Sequence, residues 1–347
     1  MTNGHHCMLW LVAALLLGCH RSEPDTVQQE AHDAGLPRPK GEIAQALASA
    51  AASAKVENSA EAKEGPPEDG VLPASRADAE IAKGSAPKLT LGSSGREPRV
   101  AFSHSPLAGK TPASLQLTLQ VGPSQTLPPL TFQLLFEPQK TSKPKNGEQR
   151  LVAQIGDVVV EASDVPEDFR RKMSSLNRSR ISFTLAPTGA YAFSIEASKA
   201  TGGEFQDILE SISEGISLAM MPTPKEAVGA GAYWMVTSRD PILGIDLVAY
   251  RMVRVEKVQN GSADLSFDLR KYAVGRDIDG SALGATGKLS IQQLNAVTKG
   301  EATMALTRTL PTSVEADRTF RALLNSDQQK GQSLIQTGGK CRFTSDR

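Results

Sequence analysis

The chain has 347 residues, 38 basic and 38 acidic side chains, 39% hydrophobic and 5% aromatic residues, and three cysteines. The zero net charge hides a compensation between segments, and the surplus of about five positives left after Ser85 is not the footprint of a nucleic-acid binder; so few cysteines exclude the disulfide framework of small secreted domains. At roughly 150 residues per domain the length allows about two domains, but the composition divides the chain unevenly.

Leu9 to Leu17 is a nearly pure apolar run, too short to cross a bilayer as a helix of about 20 residues and of the length of a signal-peptide core. Leu16-Leu17-Gly18-Cys19 follows it directly and resembles the lipobox of bacterial lipoproteins. That resemblance implies a signal peptide over 1–18 and acyl chains on Cys19, and two chains suffice for stable membrane anchoring. The n-region Met1 to His6 has no Lys or Arg, which departs from the usual export signal. His20 follows the cysteine in place of the aspartate that favours inner-membrane retention, so the expected location is the cell envelope, at the outer membrane.

His20 to Ser85 contains no Phe, Tyr or Trp and carries about 12 acidic against about 7 basic side chains, leaving the remainder of the chain mildly positive. A segment of this kind cannot bury enough apolar area to offset its ordering entropy. Residues 19–85 are therefore predicted to be a lipidated, disordered tether, Ala-rich between Ile43 and Ala54.

From Ser114 the pattern has period two. Leu115, Leu117, Leu119 and Val121 alternate with polar residues, and the alternation returns in Leu130–Phe136, Ile181–Leu185, Tyr191–Ile195, Leu265–Leu269 and Leu289–Ile291. Strict alternation predicts antiparallel strands with one buried and one wet face. Turn signals stand at Gly122-Pro123, Lys143 to Gly147, Pro187-Thr188-Gly189, Asn260-Gly261 and Lys299-Gly300. A helix is predicted after Asp164, with Pro166 in its first turn and Glu167 as capping partner. A second is predicted over Gly203 to Ala219, with Phe205, Ile208, Leu209, Ile212 and Ile216 on one stripe. A third is predicted over Ser313 to Leu324, and 325–347 reads as a flexible tail. The predicted fold is α+β over 86–324: one long curved antiparallel sheet, half-barrel-like, with two or three helices on one face.

Pro224-Lys225-Glu226-Ala227-Val228-Gly229-Ala230-Gly231-Ala232-Tyr233-Trp234 resembles the P-x-x-x-V-G-x-G-A-x-W segment of an uncharacterised family of bacterial lipoproteins with a secreted β-rich domain. The resemblance implies localisation and fold, but no reaction. Read physically, the segment is a proline-stiffened connector, glycines where backbone must turn or be approached, and a strand anchored by Trp234.

Chemistry is sparsely provided. Beyond the leader, His20, His32 and His104 remain, and His104 has no nucleophile-elbow context around it. Cys341 stands alone in the tail, so no zinc site of tetrahedral stoichiometry can be assembled. Asp277-Ile278-Asp279-Gly280 opens like a calcium loop but lacks the downstream carboxylate. The expectation is a non-enzymatic lipoprotein without metal or cofactor, anchored to the membrane through lipid on Cys19. It would bind a lipid or other apolar ligand, or an envelope protein. Phe183, Phe193, Phe205, Ile208, Ile212, Ile216 and Trp234 would line either a ligand cavity or a filled core. The alternatives are a structural or assembly scaffold with no small-molecule ligand and, third, a carboxylate-dependent hydrolase.

Overall fold

Two runs of antiparallel strands are welded into one sheet by the last strand in the chain. In chain order, the computed structural model contains β1 (Val71–Leu72), α1 (Ala74–Glu80), β2 (Lys88–Ser93), β3 (Thr111–Val121), β4 (Gln125–Thr126), β5 (Leu130–Pro138), β6 (Gln149–Val160) and α2 (Glu167–Ser174). There follow β7 (Arg180–Ala186), β8 (Gly189–Glu196), α3 (Gln206–Ala219), β9 (Tyr233–Ile242), β10 (Ile245–Gln259), β11 (Ser262–Val274) and β12 (Asp277–Asp279). A 3-10 turn (Gly280–Leu283), β13 (Lys288–Ala305), β14 (Ser313–Ser326) and β15 (Gln332–Ser345) complete the order. The residues described are 66–103, 105–121, 125–139, 147–201, 205–242, 244–283, 287–326 and 332–345. The lipobox, Cys19, the tether up to 65 and His104 lie outside them.

The sheet is open and curved, and its fifteen strands follow the order β2-β9-β10-β11-β13-β14-β15-β3-β5-β6-β7-β8, with β1, β4 and β12 as short additions. It is antiparallel throughout, except where β1 runs parallel to β11. The predicted α+β class is the observed one. The inner face carries the main core: Leu115 and Leu117 of β3, Phe132 and Phe136 of β5, Leu265 of β11 and Phe343 of β15, packed with α3. Phe136 meets Phe343 and Phe183 edge-on, at ring-centroid distances of 6.1 and 6.3 Å. Asn260 and Gly261 both take positive φ, 50° and 74°, and turn β10 into β11 as a tight hairpin requires.

Three sequence expectations are corrected. Ser313 to Leu324 is not a helix but lies in β14, where Val314, Ala316, Phe320, Ala322 and Leu324 are buried at every second position except Arg318. Small alanines and an inward arginine obscured the period-two signal. The predicted tail is β15, hydrogen-bonded to β14 on one side and β3 on the other, with Cys341 and Phe343 fully buried. Lys299-Gly300 is mid-strand in β13, not a turn.

The domain boundary also moves toward the N-terminus. β11 and β13 part beyond Lys271 and Ala296, and the chain around β1 fills the gap: Ala273 donates to the carbonyl of Gly70 (2.9 Å) and Leu294 to that of Asp69 (2.8 Å). α1 then lies on the outer face, burying Ala77 and Ile81 against Met235, Val248, Tyr250, Met252 and Tyr272. Arg239 pins it by donating to Asp78 (2.5 Å), to Asp246 (2.9 and 3.1 Å) and to the carbonyl of Ile81 (3.1 Å). The folded part thus begins by residue 66, inside the span predicted as tether, because few but well-placed apolar side chains suffice when a sheet offers them a surface. One helix therefore sits on the outer face, whereas α3 packs with the inner core and α2 beside β6.

Candidate functional site

α3 is the element around which a site could form. Leu209, Ile212 and Ile216 point into the inner face and are 0% exposed, as is Trp234. A residue at 0% has no solvent-sized space touching it, so the contact is filled and not a cavity. The helix comes so close that a Cβ on Gly215 would lie 3.0 Å from the Leu115 methyls and 3.4 Å from Cys341 Sγ. Of the predicted lining residues, Phe183, Phe205, Ile212, Ile216 and Trp234 are core, while Phe193 and Ile208 flank it half-buried. Phe193 stacks on Phe183 with ring centroids 5.2 Å apart. Burial pushes the Cys341 thiol up to about 12, which leaves it an inert, protonated thiol.

The Pro224–Trp234 segment is a backbone crossing. Val228 and Val100 exchange hydrogen bonds of 2.8 and 2.9 Å, Gly229 donates to the carbonyl of Ser94 and Arg96 to that of Ala230. A Cβ on Gly229 would stand 1.8 Å from the Arg96 carbonyl oxygen, so no side chain fits there. Trp234 donates its indole N–H to the carbonyl of Pro222 at 3.1 Å and meets Phe102 edge-on. Packing accounts for Val228, Gly229, Ala232 and Trp234, whereas Gly231 is exposed and is needed for its backbone, at φ 81°.

Composition gave no notice of a polar row across the inner face. Register places Arg251, Leu269, Thr298, Arg318 and Gly339 side by side on β10, β11, β13, β14 and β15, with Lys271 one step further along β11. Glu214 on the polar flank of α3 descends onto this row. It accepts from Lys271 and, at 2.5 Å, from Arg318. Burial pushes the Glu214 carboxyl up, but the two cations and their hydrogen bonds outweigh it and hold it down to about 2. Asp240 on β9 is shifted the other way: burial raises it, against the pull of Lys271 and Arg251. Arg251 is 8% exposed and donates to the carbonyl of Ser217 near the end of α3 at 3.1 Å, with its guanidinium 5.8 Å from the Phe267 ring centre. Burial lowers its pKa to about 10, so it keeps its charge at neutral pH.

These side chains tie α3 to the sheet by charge as well as by apolar contact. A reader of the sequence has one clue to them: Arg251, Lys271 and Arg318 fall at positions where their strands' alternation calls for apolar residues. No protein-family model matches the chain, and no curated protein sequence does.

Proposed function

We propose that the chain is a non-enzymatic envelope lipoprotein, anchored to the membrane through lipid on Cys19, whose folded domain works by binding an envelope protein. The observation that carries this reading is the filled contact beneath α3. A carrier of apolar ligands needs a pocket of roughly 300–1,000 Å³, and Leu209, Ile212, Ile216 and Trp234 leave no solvent-sized space where such a pocket was expected. Glu214 has both its oxygens engaged by Lys271 and Arg318 of the fold, which supports a structural role for it.

The surface narrows how a partner would be met. Among the described residues the exposed large hydrophobics are Val159 on β6 and Leu334 on β15, with β3 and β5 between their strands. Both edges are irregular: β2 shifts register between Leu91 and Ser93, and β8 carries Ala192 at φ 55° opposite a shift in β7. Irregular edges resist strand addition, so the partner would be held by loops or by the polar outer face. Native mass spectrometry of protein extracted from membranes tests the reading. Acylated Cys19 and no second lipid are expected. A stoichiometric lipid held by the domain would overturn it in favour of a carrier, and an unmodified Cys19 would overturn the anchor.

A further inference from the structure

Residues 66–82 are fastened to the domain from outside. Leu72, Ala77 and Ile81 pack with Met235, Val248, Tyr250, Met252 and Tyr272 in a cluster on the outer face that, among the described residues, shares no member with the core beneath α3. Val71 joins a second small cluster with Ile245, Leu247 and Leu294. The main path of the sheet runs from β2 to β8 without β1, which adds itself to β11 by two residue pairs. α1 has seven residues, of which Ala77 alone is buried, and a helix that short does not persist in water by itself.

What holds the segment is a set of polar ties from the body. Ala273, Gly275 and Leu294 donate their amides to the carbonyls of Gly70 (2.9 Å), Leu72 (2.9 Å) and Asp69 (2.8 Å). Arg276 reaches the Asp69 carboxylate, Tyr250 the Glu80 carboxylate, and Arg239 both the Asp78 carboxylate and the carbonyl of Ile81. Asp78 is 64% exposed, so water competes for its end of the pair. The body has its own connections: β10 pairs with β9 and with β11, and β11 with β13 up to Lys271 and Ala296. Lifting the segment therefore leaves the sheet connected.

We propose that residues 66–82 are a latch that opens and closes as one unit while the rest of the domain stays folded. Segments with few buried contacts and solvent-facing ties open sub-globally in this way. The mechanical consequence rests on the envelope-lipoprotein reading: with lipid on Cys19, a pull between membrane and domain enters the body through residue 66 and meets the latch first. At about 3.3–3.6 Å per extended residue, its release lengthens the tether by up to roughly 60 Å before load reaches β2. Gly70 is the point at which the latch can be held open. It has φ 74°, and a Cβ there would stand 2.0 Å from the Leu294 carbonyl oxygen, so Gly70→Ala cannot seat β1 in the fork.

Native-state hydrogen exchange on the full chain tests the latch. The reporters are the amides of Ala77, Ile81, Ala273, Gly275 and Leu294, and the reference is that of Val255, bonded to the Ala232 carbonyl at 2.9 Å. The five are expected to share one opening constant, about tenfold or more above that of Val255 and nearly independent of low denaturant. Gly70→Ala should strip protection from Ala273, Gly275 and Leu294 and leave Val255 protected. Reporters that open only together with Val255 would overturn the proposal, and so would unequal opening within the five, which would mean that α1 frays alone. Loss of protection at Val255 in Gly70→Ala would overturn it too, by showing that the body depends on the segment. If that variant does not fold, exchange in the native chain decides without it. Exchange is read alike with Cys19 acylated or free, so failure of the latch and failure of the anchor are told apart.

Discussion

The N-terminal run of strands, β3 with β5 to β8, and the C-terminal run, β9 to β14, share one sheet but are built on different rules. In the first, inner positions are apolar and the outer face is wet: β5 reads Leu130, Phe132, Leu134 and Phe136 inward, with Gln133 exposed between them. In the second, α1 covers part of the outer face, so β10 is buried almost continuously from Ile245 to Val253. Its inner face is also crossed by Arg251, Lys271 and Arg318. Alternation in a sequence reports what covers each face of a strand, and not the strand itself. Where both faces are covered, or where a charge is buried with a partner, the pattern vanishes while the strand remains.

Disrupting the join between the two runs should have the largest effect. Deleting Gln332–Ser345 removes β15 and strips β14 and β3 of a hydrogen-bonded neighbour, together with the buried Cys341 and Phe343. Loss of cooperative thermal unfolding is expected, and a soluble protein with an unchanged melting temperature would show that the runs stand without their weld. Ile212→Asp should be nearly as severe, because an unpaired carboxylate at a 0% exposed position costs several kcal/mol against a typical total stability of about 5–15 kcal/mol.

Next in size is Glu214→Gln, which leaves Lys271 and Arg318 without their shared carboxylate and should cost about 3–5 kcal/mol in denaturant unfolding. Its pH dependence has a definite sign. The folded pKa of Glu214 lies at about 2, below the ordinary 4.5. Its stabilisation is therefore complete above about 4.5 and is lost as pH falls toward 2. The native chain should lose stability over that acid window, and Glu214→Gln should flatten the curve there. Asp240 provides the contrast. Its folded pKa is raised, so its ionisation opposes folding once pH rises through that value. Asp240→Asn should then change stability at pH 7 by less than about 1 kcal/mol, or increase it. A loss as large as that of Glu214→Gln would show that Asp240 is an essential partner of the row.

Arg239→Ala sharpens the comparison from the outer side. It removes the charged hydrogen bonds to Asp78 and Asp246, each of a kind worth about 1.5–3 kcal/mol. It should free α1 first, so that proteolysis within 74–81 quickens by more than the melting temperature falls. Smallest of all is Lys340→Ala on the wet outer face, where the ion pair to Asp317 spans 3.8 Å between two largely exposed side chains. Its effect should stay within about 0.5 kcal/mol, and a larger one would mean that the outer face is not simply solvated.

The sequence by itself determined the α+β class, the strands β3, β5, β7 and β8 of the N-terminal run, the Asn260-Gly261 hairpin and the apolar stripe of α3. Each of these depends on local periodicity or on turn chemistry, which a linear pattern preserves. Tertiary structure alone decided that 66–82 is folded, that β14 and β15 are strands, and that Arg251, Lys271 and Arg318 face inward. Residues 66–82 carry too little apolar area to fold unaided and become ordered only on a surface that β9, β10 and β11 provide. β15 is polar in composition because hydrogen bonds to two neighbours, and not its own hydrophobicity, hold it in place. A buried arginine reads as a surface residue until Glu214, 104 residues away from Arg318 in the chain, is brought against it by α3.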